Sequence, residues 1–160
     1  MNPTYFPDDI VEFLYLLHKY KVKYLIVGGE AVIFYGHARL TGDIDIFYER
    51  TNDNVDRLFN MLQEFWSNDI PGIKNKDELM KEETVVQFGV PPNRVDIINT
   101  IESVNFKEAW INKKEDIFKD KKREFKIYYI GLEDLIKNKT GVNRNKDKED
   151  LKFLRKLKGK

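Results

Sequence analysis

The sequence predicts an α/β (α+β) fold, a mixed β-sheet with flanking helices, on three observations. Short apolar runs of strand length, such as Tyr24–Val27, are interleaved with segments whose apolar residues recur at helical spacing. The stretch Asp43-Ile44-Asp45-Ile46-Phe47-Tyr48 starts with strict polar and apolar alternation, the pattern of a half-buried strand. Two further strand-like runs, 84–88 and 94–98, flank Gly89-Val90-Pro91-Pro92-Asn93 and read as an antiparallel hairpin.

In chain order, Pro7-Asp8-Asp9 opens a helix to about Tyr20. Proline suits the first turn, the acids suit its positive end, and Ile10, Phe13, Leu14 and Leu17 form one stripe. Tyr24–Val27 is a buried strand running into a tight Gly28-Gly29 turn, and residues 30–35 form a short helix stopped by Gly36 as its C-cap. After the strand from Asp43, Thr51 is placed to N-cap a helix carrying Val55, Leu58, Phe59, Leu62 and Trp66, and Pro71-Gly72 breaks the chain. Beyond the hairpin come a helical fragment around 106–110, a charged region, and a strand over 125–130. Gly131 precedes a helix starting at Leu132, and a last amphipathic helix carries Leu151, Leu154 and Leu157.

With 160 residues, 41% of them hydrophobic, and with 11 Phe and 8 Tyr, the chain can bury the core of one domain, which excludes wholesale disorder. The absence of cysteine excludes disulfides, cysteine-ligated zinc and thiol nucleophiles. No apolar run approaches bilayer-spanning length, and Met1-Asn2-Pro3-Thr4 lacks the basic and apolar regions of a leader, so a cytoplasmic location is expected. Charge is uneven: residues 1–104 hold 10 Lys/Arg and 17 Asp/Glu, a net of −7, whereas residues 105–160 hold 18 and 10, a net of +8. The basic half suits either complementary packing within the fold or a polyanion.

Alternation puts Asp43 and Asp45 on one face of their strand, and Asp96 lies between apolar residues in Arg94-Val95-Asp96-Ile97-Ile98. Clustered carboxylates between apolar neighbours require compensation, and hard oxygen ligands suit Mg²⁺ or Mn²⁺. Two such ions can stabilise both the attacking and the leaving oxygen of a phosphoryl displacement. Gly28-Gly29 lets backbone N–H groups approach a phosphate, helped by the helix that follows. Of the two histidines, His18 has no partner at metal-ligand spacing and His37 reads as a helix-end cap. Phe125, Tyr128 and Tyr129 read as strand packing, and Ser67 and Ser103 have no triad partners.

The order Val27-Gly28-Gly29, thirteen intervening residues, then Asp43-Ile44-Asp45-Ile46 resembles the DNA polymerase beta-like nucleotidyltransferase superfamily. The 36–43 stretch, with Gly36, Arg39, Thr41 and Asp43, is similar to that of single-domain bacterial and archaeal members of the toxin-related or antibiotic-modifying type. Glu133-Asp134-Leu135-Ile136 with Lys139, Arg144, Lys146-Asp147 and Asp150 resembles their C-terminal helical signature. Glu30 stands where many relatives have Trp, Ser or Arg.

The resemblance implies a nucleotidyltransferase fold over 1–160, with a C-terminal helical segment at about 131–160. It implies a metal-dependent enzyme that moves an NMP from an NTP to an acceptor hydroxyl. Asp43, Asp45 and Asp96 would be the metal ligands for two Mg²⁺ or Mn²⁺ ions, with Asp96 also helping to deprotonate the acceptor. Gly28, Gly29, Arg39 and Thr41 would bind the NTP, and either Lys139 or Arg39 would offset charge on the departing pyrophosphate. For Arg39 the structural alternative is a salt bridge to a local acid, and for Lys139 a solvated helix position. The acceptor stays open among RNA such as tRNA, a small molecule and a protein hydroxyl. The rival is a catalytically silent nucleotide- or RNA-binding member of a toxin–antitoxin pair, with a partner protein and no membrane.

Overall fold

The computed structural model describes residues 5–142 and 144–160, so the Met1–Thr4 segment of the leader argument lies outside the described residues. Helix α1 (Asp8–Lys19) is followed by β1 (Tyr24–Val27), α2 (Gly28–Phe34), β2 (Asp43–Tyr48) and α3 (Asn52–Phe65). The hairpin is β3 (Val85–Phe88) and β4 (Arg94–Ile98), after which come α4 (Phe106–Ile111), β5 (Lys114–Lys119), β6 (Glu124–Tyr129), α5 (Leu132–Val142) and α6 (Asn145–Lys158). The strands form one mixed sheet in the order β3-β4-β2-β1-β6-β5. Strand β2 lies antiparallel to β1 and parallel to β4, and β1 runs parallel to β6. No helix among the described residues is long and apolar enough to cross a membrane.

The predicted stripe of α1 is buried, with Phe13 at 1% and Leu14 and Leu17 at 0% exposure. Each such side chain contributes about 1.5–3 kcal/mol relative to leaving it in water. Thr51 caps α3 by accepting from the Asn54 N–H at 3.3 Å. The Gly-Gly pair is not a turn ahead of a helix at Glu30: α2 starts at Gly28 itself, and Tyr35 is its C-cap, with Gly36 one residue beyond at φ +105°. Strand β5 falls inside the stretch read only as a charged region. It is an edge strand bonded to β6 alone, and only Phe118 of Lys114-Glu115-Asp116-Ile117-Phe118-Lys119 is buried. Its polar side chains keep that edge soluble and mask the strand pattern.

Candidate active site

Strand pairing builds the site. Asp45 is in register with Asp96 on one side and with Val27, the residue before Gly28, on the other. Because Asp43 and Asp45 share a face of β2 and β4 runs parallel to it, all three acids project together, and one carboxylate oxygen from each lies within 4.8 Å of the others. The glycines are steric requirements here. A Cβ on Gly28 would collide with the Asp45 carboxylate, and Gly28 has φ +66°; a Cβ on Gly29 would stand 2.9 Å from Thr41 Oγ1. Replacing Gly28 by Ala is therefore expected to cost about 1–3 kcal/mol and to displace Asp45. Thermal melts with and without Mn²⁺ check this: the variant should melt lower and lose the response to metal.

Asp45 is half-buried, and its carboxylate accepts no hydrogen bond from the described residues. Burial first, then repulsion from Asp43 and Asp96, pushes its carboxyl up from the ordinary 3.8 to about 7, against the pull of Lys139 and Arg94. Asp43 is touched by Thr41, whose hydroxyl donates at 3.2 Å to its backbone oxygen and at 3.3 Å to its carboxylate. Asp96 is held from two residues away: Arg94 Nε and Nη2 donate to its two oxygens at 2.9 and 3.0 Å. Gln87 adds a third donor at 3.4 Å. The Arg94 guanidinium thus supplies the positive charge that Asp96 needs without a metal. This clamp was missed in the sequence, although Arg94 and Asp96, two apart on a strand, necessarily share a face. An uncompensated carboxylate flanked by two others, all oxygen donors, fits a hard divalent cation.

Arg39 and Lys139 belong to a second, buried charge network that ties the helical C-terminal segment to the site. Asp150 accepts from Arg39 Nη1 at 2.6 Å and pairs with Lys139 Nζ at 3.0 Å. Lys139 also pairs with Asp147 at 3.0 Å, and Arg144 caps Asp147 from outside. Lys139 is 3% exposed, so the solvated alternative for it is wrong: α5 and α6 pack against each other and enclose its ammonium between two carboxylates. Burial opposes the charge on Asp147, yet the bonds from Arg144 and Lys139 win and hold its carboxyl at about 2. The Arg39 guanidinium stays close to the glycines, with a Cβ on Gly29 meeting its Cζ at 3.5 Å. The acid that pairs with Arg39 is Asp150, distant in sequence. His37 caps the end of α2 through its backbone N–H, which donates to the Val32 carbonyl at 3.3 Å. Its side chain stacks on Phe153 at 4.7 Å, with Nε2 3.9 Å from Asp150.

Beside Asp43 and Thr41 opens a cleft of about 410 Å³, walled by the segment ahead of α1, by α2 and by Pro92. Glu30 lies in it, 9% exposed, accepting the Tyr5 hydroxyl at 3.2 and 3.0 Å on its two oxygens. Burial raises the Glu30 carboxyl, partly offset by the Tyr5 bond.

No curated protein matches the chain. Residues 8–155 match the family DUF6036, described as a nucleotidyltransferase of unknown function. A glycine packed on one of three converging aspartates agrees with that description, and a match over nearly the whole length means that the chain belongs to this nucleotidyltransferase family.

Proposed function

We propose that the chain transfers a nucleoside monophosphate from an NTP to an acceptor hydroxyl at the cluster of Asp43, Asp45 and Asp96, with divalent metal. The observation that carries this reading is the approach of three carboxylates to within 4.8 Å beside a glycine that cannot bear a Cβ. When bound there, Mg²⁺ or Mn²⁺ supplies charge neutralisation for the triphosphate and for the oxygens that attack and leave.

In the transfer, the acceptor oxygen bonds to the α-phosphorus, the bond from that phosphorus to the bridging oxygen breaks, and pyrophosphate departs with the electron pair. Asp43 and Asp45 hold the cations and Asp96 completes the set. The acceptor proton passes to the Asp96 side of the site, where the Arg94 clamp must yield one carboxylate oxygen. Backbone N–H groups of Gly28 and Gly29 and the Thr41 hydroxyl orient the phosphates. Arg39, held in place by Asp150, faces the leaving group. Lys139 acts at one remove, by holding Asp150 and by lowering the cost of charge on Asp45.

For the acceptor, RNA is favoured by the outer face of α6. Lys148, Lys152, Arg155 and Lys156 are all exposed there against one exposed acid, Glu149, while Asp147 and Asp150 are consumed internally. The silent-binder reading draws on the Arg94 clamp, which already satisfies Asp96.

The test is incubation with each α-labelled NTP, Mg²⁺ or Mn²⁺, and separate pools of total RNA, protein and small molecules. Label is expected in the RNA pool. No label in any pool, with NTP still bound, would move the weight to the silent binder.

A further inference from the structure

The cleft next to Asp43 contains a group that metal binding and phosphate transfer do not use. Glu30 is a carboxylate with 9% exposure, and no lysine or arginine lies within ion-pair distance of it among the described residues. Arg39 lines the same cleft and its charge favours the ionised Glu30, but its Nη1 bonds to Asp150 and none of its nitrogens pairs with Glu30. The only side-chain donor to Glu30 among the described residues is the neutral Tyr5 hydroxyl, which reaches both oxygens at 3.0–3.2 Å. A carboxylate oxygen can take two or more hydrogen bonds, so both oxygens retain acceptor capacity. An acid buried this far with one neutral donor is under-satisfied unless something else donates to it.

The walls state what kind of group fits. Phe6, Ile10, Ile33 and Pro92 line the cleft, a surface suited to a flat ring and unsuited to a strongly hydrated ammonium. The same cleft is lined by Thr41 and Asp43, so it joins the phosphate and metal side of the site to Glu30. A ring that offers two adjacent N–H groups matches the two carboxylate oxygens in bidentate fashion. Among the four bases only guanine has that edge, N1–H beside the 2-amino group. Adenine and cytosine place a ring acceptor next to their amino group, and uracil flanks its N–H with two carbonyls, each of which would face the carboxylate.

We infer that this cleft is a nucleobase subsite and that Glu30 makes it selective for guanine. The inference rests on the transfer reading, since it places the base within reach of phosphates held beside Asp43. The guanine can belong to the donor NTP or to the acceptor's reactive end.

The experiment is equilibrium binding to the full chain with Mg²⁺, in two arms. The first arm titrates GTP, ATP, CTP and UTP. The second titrates the four nucleosides against protein saturated with a non-hydrolysable ATP analogue. A guanine preference of about tenfold or more is expected in one arm, which identifies the source. Glu30→Gln should abolish that preference while leaving affinity for the other bases within about twofold. Tyr5→Phe, which removes the hydroxyl but keeps the carboxylate, should retain the ranking. NTP binding with no base preference in either arm would overturn the inference and leave the transfer reading standing. So would a preference that survives Glu30→Gln, or one that Tyr5→Phe abolishes equally, which would make the pair a structural clasp. Absence of any metal-dependent NTP binding would overturn both.

Discussion

Asp45→Asn is expected to reduce nucleotidyl transfer by at least about a thousandfold, the rate equivalent of about 4 kcal/mol, and at the same time to stabilise the metal-free protein. Both effects come from one charge. The amide is nearly isosteric and leaves Ile44 and Ile46, at 3% and 0% exposure, in the core. In the folded chain the Asp45 carboxyl titrates at about 7, pushed up by burial and by Asp43 and Asp96, against 3.8 in the unfolded chain. Between those values the folded state binds more protons than the unfolded one. The wild type therefore loses stability as pH rises through that window and carries the full penalty above pH 7. Asn removes the penalty, so the variant and the wild type should have equal stability near pH 3. The variant should exceed the wild type by on the order of 2–4 kcal/mol at pH 8. Denaturant melts in chelator at the two pH values measure this, and a gap that does not grow with pH would contradict the charge assignment. Added Mn²⁺ should reverse the order at pH 8, stabilising only the wild type.

Lys139→Met is the second large effect, and it acts on folding. Removing the ammonium leaves Asp147 and Asp150, at 0% and 2% exposure, with the guanidiniums of Arg144 and Arg39 to compensate them and His37 3.9 Å from Asp150. Breaking a buried pair from one side typically costs about 3–5 kcal/mol. Asp147 has its native carboxyl lowered to about 2, so its contribution is present above the unfolded value near 4 and disappears as pH falls through 2. The loss in Lys139→Met should accordingly be full at pH 7 and shrink toward pH 2 in chemical denaturation. A cost below about 0.5 kcal/mol would mean that Lys139 is solvated after all.

Much of the fold and the acidic cluster was legible because their signals are local. Alternation from Asp43 fixes which side chains share a face, and the glycine pair after Val27 signals a backbone that must approach something closely. The apolar stripe of α1 and the Thr51 cap are equally short-range. What was illegible depends on partners far apart in the chain. Arg39 meets Asp150 across 111 residues, and nothing local to Lys139 says that α6 will seal it between two acids. Strand β5 was hidden because an edge strand needs apolar residues on one face only, and there just Phe118 is buried. The Tyr5–Glu30 pair spans 25 residues and appears only when the segment before α1 folds over α2.

The proposed reaction moves the nucleoside monophosphate, with the α-phosphorus of an NTP, at the three aspartates. The most direct measurement is a paired reaction with α-labelled and γ-labelled NTP in Mg²⁺ on wild type and Asp45→Asn, with acceptor and pyrophosphate resolved. With wild type, α-label is expected in the acceptor and γ-label only in released pyrophosphate; with Asp45→Asn, neither is expected. Label reaching the acceptor from the γ position, or equal α-label transfer by the Asn variant, would contradict it.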